Sequence, residues 1–184
     1  MLKELLTTFV VSASATGISD TTGIDIHQDY SYNQAECLAQ NMYHEAKNQG
    51  FAGQLAVALV VLNRVNDHRF PNTICEVVHQ GPVKESWKTK GKDLMEHERI
   101  YYPIRHRCQF SWYCDGKGDI PRQTRSWTDS QQIADYIMNK PDLIDITDGA
   151  THYHADYINP PRWALKRQMT LQIDTHIFYN KTRF

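Results

Sequence analysis

One carboxyl group in this sequence has the surroundings that acid–base chemistry needs. Glu45 stands in the cluster Tyr43-His44-Glu45-Ala46, near the end of a segment whose apolar residues recur every three or four positions. This period predicts an amphipathic helix and places Glu45 about two turns after Leu38, at the margin of the buried stripe. Partial removal from water disfavours the charged form of a carboxyl group and raises its pKa. Glu45 is therefore predicted to keep a proton available for transfer.

Two helices have to position this group. The first is predicted to begin at a cap, Ser31 or Asn33, and to end before Gly50, since glycine commonly follows the last helical residue. The second, from Gln54 to Val65, is apolar on nearly every side. A membrane span needs about 20 apolar residues, and this run is shorter. It is therefore predicted to be the buried central helix of a domain.

The rest of the chain adds shorter elements. A short helix is predicted from the Thr73 cap to Val78. Another is capped by Asp129, ends before Pro141 and buries Ile133, Tyr136 and Ile137. Residues 151–158 and 169–173 alternate like strands, and a Pro160-Pro161 loop separates them, which allows a hairpin or a small sheet. The predicted fold class is α+β, mainly helical with a small antiparallel sheet near the C-terminus.

Composition limits the class of protein. The 184 residues fit one compact domain, and a formal net charge of -1 argues against a nucleic-acid partner bound through bulk positive charge. Residues 84–107 are the exception, because lysines and arginines concentrate there. This run is either a solvated loop or a surface for an anionic polymer.

The ends and the cysteines leave alternatives open. Residues 1–30 are interpreted as a flexible leader, with a signal-like site at Ala13-Ser14-Ala15, and residues 31–184 as the single catalytic domain. No membrane-spanning helix is predicted.

The four cysteines lack CxxC spacing, which argues against a zinc-ribbon or thioredoxin motif. They form disulfides if the protein is exported or remain buried thiols if it is cytosolic, and three pairings are available.

Several motifs together resemble a known family. They are Tyr43–Ala46, Gly53-Gln54, Ala56–Val65, Phe70–Cys75, Gln109–Trp112, Gly149–Ala155 and His176–Tyr179. In this order they resemble the bacterial cell-wall hydrolases that include the spore cortex-lytic enzymes, over about residues 36–179. One departure is Lys47-Asn48, where the family usually has Arg-Gly after Glu-Ala. The chain also lacks the wall-binding repeats common in the spore enzymes, which favours phage lysis or wall remodelling.

The resemblance implies a lysozyme-like fold and cleavage of the MurNAc-GlcNAc bond of peptidoglycan, often by lytic transglycosylation. It also implies that Glu45 is the catalytic acid and that no cofactor is needed. A hydrolase normally adds a second carboxylate. Asp115, Asp148 and Asp156 are candidates, but each is predicted in a turn or strand where a structural role is expected. The single-acid route of a transglycosylase is therefore favoured.

Substrate-binding residues are expected around Glu45. Tyr43 and His44 adjoin it, and Gln109, Ser111 and Tyr153 could orient the sugar by hydrogen bonds. Trp112 or Trp163 could stack on a sugar ring. His152 and His154 are expected to line the cleft, and Asn63 and Arg64 to reach a substrate carboxylate or, for Arg64, to cap its helix.

Two other functions remain open. His152 and His154 would lie on one face of a strand, and with His176 and His44 they would suffice for the zinc site of an amidase or peptidase. The alternative for these histidines is hydrogen bonding within the sheet. The other function is a non-catalytic wall-binding module. In each case the expected partner is the peptidoglycan strand. The protein is expected to be a monomer that is exported or is released from the host during phage lysis.

Overall fold

The computed structural model describes the backbone of residues 26–181 and the side chains of residues 33–181. The described part contains four α-helices: α1 (Ile26–Ala46), α2 (Phe51–Val65), α3 (Ile74–Val78) and α4 (Arg125–Met138). Helix α1 begins at Ile26, so the predicted cap at Ser31 or Asn33 is wrong, and residues 26–30 of the expected leader are helical. The stretch from residue 26 holds no glycine or proline that would delay the helix. Residues 1–25, with the signal-like site, lie outside the described residues.

Helix α2 forms the centre of the molecule, as predicted. Ala56, Val57, Ala58, Val60 and Val61 all have an exposed fraction of 0%. One side of α2 packs in a cluster with α1, α3 and α4, and the other side packs on the sheet through Phe178. Burial from both sides explains why this helix is apolar all round.

The C-terminal sheet has three antiparallel strands: β3 (His152–Ala155), β4 (Gln168–Ile173) and β5 (His176–Asn180), in the order β3-β5-β4. The small sheet is therefore confirmed, but a direct hairpin between the two predicted strands is wrong. Strand β5 lies between them, joined to β4 by a tight turn in which Asp174 has φ 48°. Because β5 is buried on both faces, it shows no clear alternation of apolar and polar residues.

The basic segment is more ordered than a loop. It contains β1 (Val83–Glu85) and β2 (Tyr101–Pro103), which pair antiparallel, and a 3₁₀ turn at Glu96–Glu98. Arg99 forms an ion pair with Glu85 at 2.8 Å. Most of the segment's side chains are exposed, as the solvated interpretation expected.

The cysteines are paired. A disulfide joins Cys37 of α1 to Cys75 of α3, and a second joins Cys108 to Cys114. The first links two helices of the core, and the second closes a short segment that carries Trp112. The disulfide alternative is thus the one that the structure adopts.

Helix α4 differs from its prediction in its N-terminal cap and in one of its predicted buried residues. Its cap is Thr124, whose hydroxyl oxygen accepts from the Trp127 N–H at 3.4 Å, whereas Asp129 lies inside the helix. Ile133 and Ile137 are buried as predicted, but Tyr136 is 44% exposed. Tyr136 lies beside the buried stripe rather than on it, because Trp127, together with Ser130 and Ala134, already completes that face. Among the described residues, no helix combines the length and apolar character that crossing a membrane requires.

Candidate active site

Glu45 lies in the last turn of α1, with its side chain half-buried. The Tyr153 hydroxyl, from the first part of β3, donates a hydrogen bond to Glu45 Oε2 at 3.1 Å. Tyr153 is itself fixed by ring contacts with His176 at 4.9 Å and with Phe178 at 5.6 Å. The sheet therefore holds the carboxyl group that the helix presents.

The electrostatics of Glu45 follow from its position between helix and sheet. Burial raises the pKa of Glu45 above its ordinary value of 4.5, while the Tyr153 hydrogen bond and the positive charge of Arg64 act in the opposite direction. Burial has the largest effect, so the net direction is upward. A carboxyl group with a raised pKa can hold a proton at higher pH than a solvated one, as a general acid requires.

Arg64 supplies that charge from inside the protein. Its side chain is 5% exposed, and its Nε donates to the Thr151 carbonyl at 2.8 Å. The guanidinium group lies 5.0 Å from the Phe110 ring and 5.4 Å from the Phe70 ring. Arg64 is thus not a helix cap, and its burial among aromatic rings is unlike that of a substrate-facing side chain. Asn63 likewise points into the protein and donates to the Ala150 carbonyl at 3.0 Å.

A cleft of about 630 Å³ opens beside Glu45. Its walls are the end of α1, the turn into α2, and the turns at the ends of the sheet. His44, Glu45, Gln49, Tyr157, Asp174 and His176 are among its lining residues. Sequence reasoning missed Tyr157, which is 79% exposed at the mouth of this cleft. An aromatic residue directly after a strand that carries a site residue is the signal that could have found it.

A second cleft of about 800 Å³ adjoins the first and shares His44, Lys47 and Asn48 with it. Tyr43 and Trp112 line this second cleft. The Trp112 indole stacks on the His44 ring at 4.4 Å and donates to Asn41 Oδ1 at 3.1 Å. His44 occupies one face of the indole and Trp112 is only 7% exposed, so Trp112 has little surface free for a sugar.

The other predicted sugar contacts fall elsewhere. Gln109 and Ser111 are exposed, and neither is among the lining residues of these two clefts. Trp163 packs against His152 at 5.3 Å and against Tyr179 at 5.5 Å, within the aromatic cluster of the sheet. The motif Gln109–Trp112 thus brings only Trp112 to the second cleft, since Gln109 and Ser111 face solvent and Phe110 is buried in the core.

The histidines are engaged within the sheet. His154 Nε2 lies 3.0 Å from the Tyr179 hydroxyl, and its Nδ1 donates to the Ala155 carbonyl at 2.8 Å. His152 Nε2 lies 3.0 Å from the Arg167 guanidinium group. Burial and the charge of Arg167 lower the pKa of His152 to about 3, which keeps its ring neutral. Within the described residues, no group of three or more His, Cys, Asp or Glu side chains could hold a metal ion.

The carboxylates near Glu45 are not those the sequence indicated. Asp148 lies in a turn with φ 52°, and Asp156 accepts from Gln172 at 3.0 Å. Asp115 lines the second cleft and pairs with Lys117 at 3.4 Å. Two carboxylates that sequence reasoning missed also line the clefts. Asp174 accepts from the Gly50 N–H at 3.2 Å beside Glu45. In the second cleft, burial raises the pKa of Asp119.

The fold is shared with a protein of known structure. The chain superposes on the catalytic domain of the germination-specific lytic transglycosylase SleB from Bacillus anthracis with a TM-score of 0.54 and 23% identity, covering 80% of this chain and 94% of that one. At this identity the likeness concerns the fold, which is α+β and lysozyme-like, as the resemblance implied.

The sequence profile of the cell wall hydrolases matches residues 48–179, and the chain belongs to this family. It is 41% identical over 151 residues to a spore cortex-lytic enzyme of Halalkalibacterium halodurans, covering 82% of this chain and 36% of that protein. It is 38% identical over 60 residues to the enzyme of the same name from Oceanobacillus iheyensis, covering 33% and 22%. The chain thus spans about a fifth to about a third of these relatives' lengths. The family match begins three residues after Glu45, so the role of Glu45 depends on the geometry.

Proposed function

We propose that this protein cleaves the MurNAc-GlcNAc bond of peptidoglycan as a lytic transglycosylase, with Glu45 as its acid. One observation carries the proposal: a half-buried carboxyl group with a raised pKa lies in an open cleft and is held there by Tyr153. The family match and the names of the relatives support the choice of substrate.

The reaction needs a proton at the leaving oxygen while the sugar gains oxocarbenium character. Glu45 donates its proton to the GlcNAc oxygen as the bond to the muramic C1 breaks. The resulting carboxylate then accepts the proton of the muramic primary hydroxyl, whose oxygen bonds to C1 and closes an anhydro ring. Glu45 ends protonated again, so a single side chain serves as acid and then as base.

The arrangement of the nearby carboxylates supports this single-acid route. Asp174 shares the cleft with Glu45, but it accepts a hydrogen bond from the Gly50 N–H and so fixes the turn between α1 and α2. A carboxylate engaged in this way is a poorer nucleophile or base than a free one. The muramic hydroxyl takes over the task that a second carboxylate has in a hydrolase.

In this proposal Tyr157 and His44 contact the glycan, while Tyr153 orients the acid and the buried His176 ring supports Tyr153. Tyr157 offers an exposed ring for a sugar face, and the His44 imidazole lines the same cleft as Glu45. Tyr43 and Trp112 form part of the wall of the adjoining cleft. We further propose that the protein acts on the wall as a monomer, after export or after release during phage lysis.

The products of digestion test the proposal. Purified sacculi are incubated with the protein, and the soluble fragments are analysed by mass spectrometry. Anhydromuramic ends are expected. Reducing muramic ends would identify a lysozyme-type hydrolase instead, and free stem peptides would identify an amidase. Addition of EDTA is expected to leave the rate unchanged, whereas a loss that zinc restores would support the metal-dependent alternative.

A further inference from the structure

A third concavity, of about 580 Å³, lies on the other side of the turn that borders the Glu45 cleft. Its walls are the start of α2 and the middle of α4. Gln49 and Gly50 line both this concavity and the Glu45 cleft. The two therefore adjoin at that turn, and one extended polymer could occupy both.

Two exposed aromatic rings form the wall of this concavity. Phe51 is 55% exposed and Tyr136 is 44% exposed, and their ring centroids lie 6.4 Å apart at an interplanar angle of 65°. Burial of such rings is favourable, so two adjacent exposed rings in a concave surface are a candidate binding site. Tyr136 is also the residue of α4 that departs from the predicted buried stripe.

Polar groups surround these rings. Gln132 is exposed at the rim, and the Asp129 carboxylate lies 3.8 Å from Arg125. The Lys140 ammonium group lies 5.3 Å from the centroid of the Tyr136 ring. Apolar ring faces bordered by amide and carboxylate groups suit a sugar, which offers an apolar face and a rim of hydroxyl groups.

We propose that this concavity is a distal subsite for the glycan strand whose cleavage is proposed at Glu45. The inference rests on that proposed function, and it adds the path of the strand across the surface. From the Glu45 cleft the glycan crosses the turn at Gln49-Gly50 and stacks a sugar on Phe51 and Tyr136. Gln132 hydrogen-bonds the hydroxyl groups of that sugar.

Binding measurements test the subsite. All variants are made in the full chain with Glu45→Gln, so that the strands stay intact. Kd is measured for peptidoglycan glycan strands with and without stem peptides and for a tetrasaccharide of the same repeat. Phe51→Ala and Tyr136→Ala are each expected to weaken binding of long strands about three- to tenfold, as expected for loss of one aromatic contact. The tetrasaccharide is expected to bind unchanged. Gln132→Ala tests the rim without altering either ring, and Ile144→Ala is the matched control, since Ile144 is 79% exposed and far from the turn in sequence.

The outcomes separate the two proposals. If the Glu45→Gln parent binds long strands and the aromatic variants bind them equally well, the subsite is wrong and the proposed function stands. If the variants weaken binding of the strands that carry stem peptides but not of the peptide-free strands, a peptide and not a sugar occupies the concavity, and the glycan assignment is overturned. A parent that binds none of these ligands contradicts the proposed function and the subsite together.

Discussion

Glu45 and Asp145 are both carboxyl groups partly withdrawn from water, yet their pKa values move in opposite directions. Burial raises the pKa of both. For Asp145, however, hydrogen bonds to Thr147, Gly149 and Asn63 together outweigh burial and lower the pKa, whereas the pKa of Glu45 stays raised.

The difference lies in the number of donors. Within the described residues, Asp145 accepts four hydrogen bonds: from the Thr147 N–H at 2.8 Å, the Thr147 hydroxyl at 2.6 Å, the Gly149 N–H at 2.7 Å and Asn63 Nδ2 at 3.0 Å. These donors stabilise the carboxylate form. Glu45 has the Tyr153 hydroxyl and the charge of Arg64 acting against its burial. The comparison teaches that this fold uses one carboxylate as an anchor for a loop and leaves another able to carry a proton.

The largest effect is expected from Glu45→Gln. The amide keeps the size of the side chain and an acceptor for Tyr153 but has no proton to donate, so release of soluble fragments from sacculi should fall about a thousandfold. Glu36→Gln, on the same helix, is the matched control and should leave the rate unchanged. If Glu45→Gln still cleaves sacculi, Glu45 is not the acid. The contrast between a catalytic carboxyl group at Glu45 and a structural one at Asp145 would then be wrong.

Asp145→Asn should affect stability rather than chemistry. The new amide cannot accept from all four donors, and buried groups left without partners are costly, so the free energy of unfolding in urea should fall by about 2–3 kcal/mol. Asp142→Asn, at an exposed neighbour, should change it little.

The pH dependence of this contribution has a definite sign. Because the folded pKa of Asp145 is lowered, its contribution is present above the ordinary value of 3.8 and is lost as the pH falls through the folded pKa. Equal stability of Asp145→Asn and the parent at neutral pH would show that the four hydrogen bonds do not anchor the loop.

Tyr153→Phe is expected to have a smaller effect on the rate, a loss of up to about tenfold. The ring and its contacts remain, but the donor to Glu45 is lost. Because that hydrogen bond lowers the pKa of Glu45, its removal should raise the pKa further and shift the alkaline limb of the pH–rate profile to higher pH. A shift to lower pH would mean that Tyr153 does not stabilise the carboxylate. The conservative control is Tyr157→Phe, which should leave the position of that limb unchanged.

The smallest expected effect is the contribution of Glu45 to the free energy of unfolding. A raised folded pKa means that the folded protein binds more protons than the unfolded one, so stability falls as the pH rises from about 4.5 through the folded pKa. Glu45→Gln removes this penalty and should be more stable than the parent at neutral pH, by about 1.4 kcal/mol for each unit of raised pKa. Urea unfolding on both sides of this range measures it. A difference between variant and parent that is independent of pH would contradict the raised pKa.

Much of the fold could be predicted because its signals are local. The apolar run of α2 is long and bounded by glycine, and its burial follows from composition alone. The end of α1 and the position of Glu45 follow from a helical period. The start of α4 and the exposure of Tyr136 could not be predicted as easily, since Thr124 and Asp129 are both good caps in sequence.

The site was less predictable, because its second half comes from distant parts of the chain. Tyr153 was expected to hydrogen-bond the sugar, not to donate to Glu45. Tyr157 and Asp174 were missed, and Gln109 and Ser111 lie outside the clefts. Strand β5 lies between β3 and β4, and that order decides which turns face Glu45. Such an order depends on long-range pairing, which a local pattern does not encode.

The sequence by itself determined which carboxyl group we propose as the acid, the helix that carries it and the apolar helix beneath it, because helical period and hydrophobicity act over a few residues. Only the tertiary structure decided which carboxyl group has a raised pKa and which surfaces meet around it. Protonation depends on the donors and charges that surround a group in space, and the donor to Glu45 comes from a residue 108 positions away along the chain.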